Sequence, residues 1–134
     1  IDRAYVQNFM SHAMENGIEL VIMHPEENDR IIAEIHCYKL NPIVFSHVFS
    51  ELTCVVDPEF IGKGLGRDLF KHLIETVETK FPDILRIELI ARESNQRAIS
   101  LYEKMGFAIE GKFINSIKNE NGFEADIPMA WLRT

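Results

Sequence analysis

Between residues 57 and 67 the chain reads Asp-Pro-Glu-Phe-Ile-Gly-Lys-Gly-Leu-Gly-Arg, and its three alternating glycines separate a strand-like run from a helix-like one. Glycines without Cβ atoms let the backbone approach a ligand closely. The first N–H groups of the following helix have no internal partner, and the helix dipole adds positive potential there. Gly62 to Arg67 therefore suits a pyrophosphate; a tight turn with no ligand is the competing reading. A dinucleotide fingerprint would need glycine at Arg67 or at Leu69, and no Gly-Lys-Ser/Thr closes a phosphate loop, so both of those motifs fail. The second chemical residue is Glu51, a lone carboxylate in the apolar run Val48 to Val56, on the side shared by Phe49, Thr53 and Val55. Charges are seldom buried in such strands without a reason. Burial would raise the carboxyl pKa and make Glu51 a base near neutrality. An edge position in solvent, or a charge that binds substrate, is the alternative. His47 is a second candidate base, and His36 and Glu34 are further substrate-side candidates. Cys54, opposite Glu51, reads as a packing residue.

These residues need elements to hold them. Val6, Phe9, Met10, Ala13 and Met14 recur at helical spacing, which predicts a helix over residues 3–16 that stops at Gly17. Ile18 to Met23 predicts a strand, and residues 31–40 another, with Ile31, Ala33, Ile35 and Cys37 on one face and Glu34, His36 and Tyr38 on the other. Val48 to Val56 predicts a strand apolar on both faces, ended by Asp57-Pro58. The glycine segment then opens a helix with the stripe Leu65, Leu69, Phe70, Leu73, Ile74 and Val77, and Pro82 closes that region. Ile84 to Ala91 predicts a strand. Ser94 or Asn95 caps a helix to about Met105, with Gly106 at its left-handed end. Phe107 to Ile117 and Phe123 to Leu132 predict two strands around Asn121-Gly122, a strong hairpin signal. The order is mixed α/β, with crossover helices between some strands and hairpins elsewhere.

The two motifs together carry a resemblance. Val55-Val56-Asp57-Pro58-Glu59-Phe60-Ile61-Gly62-Lys63-Gly64-Leu65-Gly66-Arg67 resembles the acetyl-CoA signature of the GNAT N-acetyltransferases. Downstream, the run from Asn95 through Ala98, Leu101 and Tyr102 to Gly106-Phe107 resembles that family's second signature. The resemblance spans roughly residues 18–134 and implies a central, twisted, mostly antiparallel sheet flanked by helices, the GNAT fold, as one domain over residues 1–134, with the family's first strand and first helix either missing or cut off before Ile1. It also implies acetyl-CoA as cosubstrate. Backbone amides of Gly62, Lys63, Gly64, Leu65, Gly66 and Arg67 would hold the pyrophosphate. Val55 and Val56 would splay from the next strand and pair with the pantetheine arm, and Asn95 would hydrogen-bond it. Tyr102 would protonate the departing thiolate. Glu51 stands in a context like that of the glutamate base in the histone-acetylating branch. Ile61 departs from the Gln or Arg usual at its position; because the role there is partly backbone-mediated, the phosphate site is expected to survive, with weaker affinity.

A thioester already has a good leaving group, so such an enzyme needs mainly a placed neutral amine, one base and one acid. No arrangement of a cysteine or serine nucleophile with a histidine base is required or evident, which favours direct attack in a ternary complex over an acyl-enzyme. Expected acceptors are a polyamine, an amino acid, an aminated antibiotic, or a lysine or N-terminus of a protein. The segment from Glu110-Gly111 to Pro128-Met129 resembles members acting on small amines or protein N-termini. The rival is a CoA-binding module without activity.

Composition narrows the classes. The 134 residues carry a net charge of −7, which disfavours nucleic acid and mildly favours a cationic partner. Apolar runs are strand-sized, so no membrane span is expected. Two cysteines in apolar runs fit a reducing, cytoplasmic setting. The five histidines lack ligand spacing, so no metal is expected. An amine-bearing substrate is the expected partner, and a homodimer is compatible with the reading.

Overall fold

The computed structural model describes residues 9–14, 17–27 and 29–134. Eight strands form one sheet: β1 Phe9–Met14, β2 Gly17–Met23, β3 Ile31–Lys39, β4 Val48–Val56, β5 Arg86–Arg92, β6 Ala108–Ile109, β7 Phe113–Asn119 and β8 Gly122–Leu132. Their spatial order is β1-β2-β3-β4-β5-β8-β6, with β7 also paired to β8. All pairings are antiparallel except β4 with β5, which run parallel. The connection between those two carries helix α1, Leu65–Lys80; helix α2, Gln96–Lys104, follows β5. The stripe Leu65, Leu69, Phe70, Leu73 and Val77 packs on Leu20, Ile22, Ile35 and Cys37 in one core cluster. Arg133 ties the far end of α1 to the sheet, donating to the carbonyls of Ile84, Val77 and Phe81.

The expected N-terminal helix is corrected. Phe9–Met14 is a strand, paired with β2 from Phe9↔Ile22 to Met14↔Gly17. Residues 3–8 and 15–16 of that expectation lie outside the described residues. A short apolar segment satisfies both periods, and the free edge of β2 selects the extended one. The expected strand Phe107 to Ile117 is divided into β6 and β7 at Glu110-Gly111-Lys112, where Glu110 N–H still donates to the Pro128 carbonyl at 2.9 Å. The hairpin closes one residue earlier than expected: Asn119 pairs with Gly122, and Gly122 takes a φ of 115°.

The feature that shapes the site lies in β4. Its ladder with β3 runs from His36↔Thr53 to Tyr38↔Ser50, so Glu51 and Leu52 together oppose Cys37. This is a bulge with one extra residue, and Glu51 adopts a left-handed φ of 56° to make it. The side-chain alternation changes phase there. Phe49 (1 % exposed) and Leu52 (7 %) both enter the core, and Ser50 and Glu51 turn outward one after the other. The expectation that Glu51 shares the face of Phe49 and is buried is therefore corrected; its side chain is exposed. Bulges bend strands, and β4 pairs with β5 only at Val48↔Arg86 and Phe49↔Ile87. From Ser50 onward the two strands diverge.

Candidate active site

Two cavities touch β4, and the smaller of them also touches β5 where the two strands part. The larger, about 920 Å³, is lined by Cys54 and Val56 of β4, the Ile61 to Arg67 turn, and the α2 face that carries Asn95, Ala98 and Tyr102. The smaller, about 560 Å³, is lined by Ser50 to Thr53 of β4, by β5, and by the Glu110 to Phe113 segment.

The turn of the larger cavity is built by local geometry. Asp57 accepts the Glu59 N–H at 2.9 Å and the Arg30 guanidinium at 3.0 Å, which fixes the 3-10 turn Pro58–Phe60 just before the glycines. Those two donors, the amide first, hold the Asp57 carboxyl below its ordinary range. Gly62 and Gly64 take φ values of 87° and 78°, which L side chains rarely adopt. Gly64 stands at the helix start, and the first helical bond runs from Asp68 N–H to the Gly64 carbonyl at 3.2 Å. The amides of Leu65, Gly66 and Arg67 precede that bond and have no partner inside the helix. A Cβ on Gly66 would lie 3.4 Å from the Leu101 side chain, an ordinary contact that shows α2 packed directly beside this turn.

Four cations line this cavity, Lys63, Arg67, Arg97 and Lys104, and no carboxylate does. The amide cradle and this charge fit the phosphates of a CoA ester. Asn95 caps α2, its side chain accepting the Ala98 N–H at 3.2 Å, and it lines the cavity as well. Tyr102 packs on Phe70 with ring centres 5.2 Å apart, and its hydroxyl makes no hydrogen bond among the described residues. Burial, and secondarily Cys54, push its pKa up, which keeps the phenol protonated and able to give its proton. The Cys54 thiol is itself pushed up to about 12 by burial, and Cys37 likewise, so neither is a thiolate near neutrality.

The sequence-derived residues divide between the cavities. Gly62, Lys63, Gly64, Leu65, Gly66, Arg67, Asn95, Tyr102 and Val56 come together in the larger one. Leu65 contributes backbone only, since its side chain is in the core. The Val55 side chain points outward and lines neither cavity. Glu51 lies in the smaller cavity. His47 is exposed at the start of β4, and Glu34 and His36 contact each other on the outer face of β3; none of the three lines a cavity.

The rest of the smaller cavity escaped sequence reasoning. Arg86 donates from Nε to Glu88 at 2.8 Å and from Nη1 to Glu110 at 2.9 Å, and Ser50 donates to the other Glu88 oxygen at 3.0 Å. The signal available was Arg86-Ile87-Glu88, two charges side by side on one face of a strand whose other face is apolar. With Glu51, the cavity holds three carboxylates against one guanidinium.

Comparison with known proteins agrees with this geometry. Residues 3–107 match the Acetyltransferase (GNAT) family. A 52-residue stretch is 48% identical to ribosomal protein bS18-alanine N-acetyltransferase of Salmonella typhimurium, covering 39% of this chain and 34% of that one. A 98-residue stretch is 26% identical to spermidine N(1)-acetyltransferase of Escherichia coli, covering 69% of this chain and 52% of that one. Among solved structures, an acetyltransferase of the GNAT family from Streptococcus pneumoniae matches with a TM-score of 0.80 at 26% identity, over 90% of this chain and 70% of that one. The chain spans between a third and about half the length of these curated relatives. Among the described residues, no helix is long and apolar enough to cross a membrane.

Proposed function

The chain belongs to the Acetyltransferase (GNAT) family, and from that premise we propose that it moves the acetyl group of acetyl-CoA to a primary amine by direct attack in a ternary complex. One observation carries this. The two cavities that share β4 are oppositely charged, one with four cations and no acid, the other with three carboxylates and one guanidinium. A polyanionic cosubstrate and a cationic acceptor would be drawn to opposite sides of the same strand.

Acetyl-CoA supplies an acyl group already activated as a thioester. The amides of Gly62 to Arg67 would hold its pyrophosphate, with Lys63 and Arg67 beside them. The unpaired inner edges of β4 and β5 beyond Phe49 and Ile87 offer backbone partners to an extended pantetheine arm. Asn95 lies along that course. Glu51 would take the ammonium proton, directly or through a water, and Tyr102 would protonate the sulfur as the C–S bond breaks and the C–N bond forms. With both thiols held protonated, no cysteine competes as a nucleophile. The test is thiol release from acetyl-CoA across a panel of amines. Turnover with an amine supports transfer. Tight CoA binding without turnover on any amine would make the chain a CoA-binding module instead.

A further inference from the structure

The sheet brings together one group of side chains that neither cavity uses. Glu19 of β2 and Glu34 and His36 of β3 each present one ligand atom, a carboxylate oxygen or a ring nitrogen, and these atoms lie within 4.8 Å of one another. The register explains the meeting. Glu34 and His36 are two apart on β3 and so share a face, opposite to Ile35 and Cys37 in the core. Glu19 stands directly across from His36 in the β2–β3 ladder and diagonal to Glu34, whose own partner is Val21. The histidines show no ligand spacing among themselves; the carboxylates that complete the set come from the same strand and from its neighbour.

The charge of this group is uncompensated. Elsewhere on the chain, close carboxylates are bridged by a guanidinium: Arg30 holds Glu27, Asp57 and Glu59, and Arg86 holds Glu88 and Glu110. Among the described residues, no lysine or arginine pairs with Glu19 or Glu34, and Glu34 meets only Nδ1 of His36. The Glu34 and His36 side chains are 31% and 22% exposed and Glu19 is half-buried, so water screens the two like charges incompletely. The His36 ring also packs against Tyr38, with ring centres 5.3 Å apart, which helps hold its orientation. Two carboxylate oxygens and one imidazole nitrogen suit zinc and its transition-metal neighbours better than magnesium or calcium, which prefer oxygen alone. We propose that Glu19, Glu34 and His36 bind one divalent transition-metal ion, zinc in the first instance, with a fourth position open to water. The ion would stitch β2 to β3 on the face where His36 pairs with Thr53, a residue that lines the smaller cavity. The site is independent of acetyl transfer, since it uses none of the residues assigned to acetyl-CoA or to proton transfer.

The test is calorimetry of the whole chain with zinc chloride, against magnesium and calcium chloride. One zinc per chain is expected, with a micromolar dissociation constant, and no saturable binding of magnesium or calcium at the same concentrations. Glu19→Gln, Glu34→Gln and His36→Gln should each weaken zinc binding at least tenfold. Metal-free Glu19→Gln loses a like-charge contact and should melt no lower than the parent, which shows that it folds. Zinc should raise the melting temperature of the parent and leave that of Glu19→Gln unchanged. Zinc-edge X-ray absorption should find nitrogen and oxygen neighbours at about 2.0–2.2 Å and no sulfur at about 2.3 Å. No zinc binding, or equal binding by the parent and all three variants, overturns the site. A sulfur neighbour would move the metal to Cys37 or Cys54 and overturn it as well. Magnesium or calcium bound as tightly as zinc would overturn the assignment to a transition metal.

Discussion

Replacing Glu51 separates the two things this residue does. Its backbone makes the bulge at a φ of 56°, and its exposed side chain supplies the one uncommitted carboxylate of the proposed acceptor cavity. Glu51→Gln leaves the backbone requirement unchanged and removes no ion pair among the described residues, so stability should stay within about 0.5 kcal/mol. Glu51→Gly relieves a left-handed non-glycine residue, which costs roughly 1–2 kcal/mol, against about 0.5–1 kcal/mol for glycine's added chain entropy in a strand. The glycine variant should therefore equal or exceed the parent in stability, by up to about 1.5 kcal/mol. Both variants lose the proposed base. A general base is worth about 10²–10⁴-fold, or about 2.7–5.5 kcal/mol in the barrier. Kinetics from pH 6 to 10, paired with urea unfolding, read the two effects apart. The expected outcome is a depressed kcat/KM near neutrality in both variants, with a deficit that shrinks at high pH as the amine becomes neutral. Raised KM with unchanged kcat would make Glu51 a substrate-binding charge only. An unaltered acidic limb in Glu51→Gln would refute the base role and pass it to a water chain or to His47.

Tyr102→Phe keeps the packing on Phe70 and removes only the hydroxyl, so kcat should fall by about 10²–10⁴-fold with acetyl-CoA affinity unchanged by calorimetry. Because the phenol pKa is raised, the parent's activity should persist as pH rises until beyond the ordinary phenol value near 10 and fall only above it. Gly64→Val places a β-branched residue at a φ of 78° where the amides must meet a ligand; calorimetry on the folded variant should find CoA affinity at least tenfold weaker. Unchanged affinity would remove the turn from the site. Both thiols, held at about 12, should resist iodoacetamide at neutral pH and label fully on unfolding, as counted by mass spectrometry. Asp57, Glu93, Glu110 and Glu124 all have carboxyl pKa values lowered by hydrogen bonds or ion pairs in the folded chain. Such groups stabilise the fold above the unfolded carboxylate range and stop doing so as pH falls through their lower folded values. Melting temperature should therefore hold steady down to about pH 5 and drop below about pH 4.

The parts of the fold legible in the sequence are those fixed by neighbours in the chain. The glycine turn, the Asn95 cap and the Asn121-Gly122 hairpin each depend on a few consecutive residues, and each is found close to where those residues put it. The strands β2 to β5 follow from apolar runs bounded by proline and polar turns. What was not legible depends on partners far away in sequence. Phe9–Met14 is extended because β2 offers an edge, which no periodicity within the segment reveals. The bulge at Glu51 exists because Cys37 must oppose two residues, and nothing in the alternation of Val48 to Val56 announces the change of phase. The acceptor cavity joins β4, β5 and the segment around Glu110, three stretches whose glutamates look like ordinary surface charge until the sheet brings them together. The cationic cavity was half legible. Lys63 and Arg67 sit in the motif, and Arg97 and Lys104 join them because α2 packs beside the turn through Gly66 and Leu101.

The proposed reaction is spatially ordered, with the cosubstrate on the cationic side of β4, the acceptor on the anionic side, and the splay between β4 and β5 joining them. A crystal structure of the chain with CoA and a slow or unreactive amine-bearing peptide tests it most directly. The pyrophosphate is expected on the amides of Gly62 to Arg67, the CoA sulfur near the Tyr102 hydroxyl, and the amine within reach of Glu51 beside Ser50 and Glu88. CoA bound away from the turn, or an amine lodged in the cationic cavity with the Glu51 side empty, would contradict it.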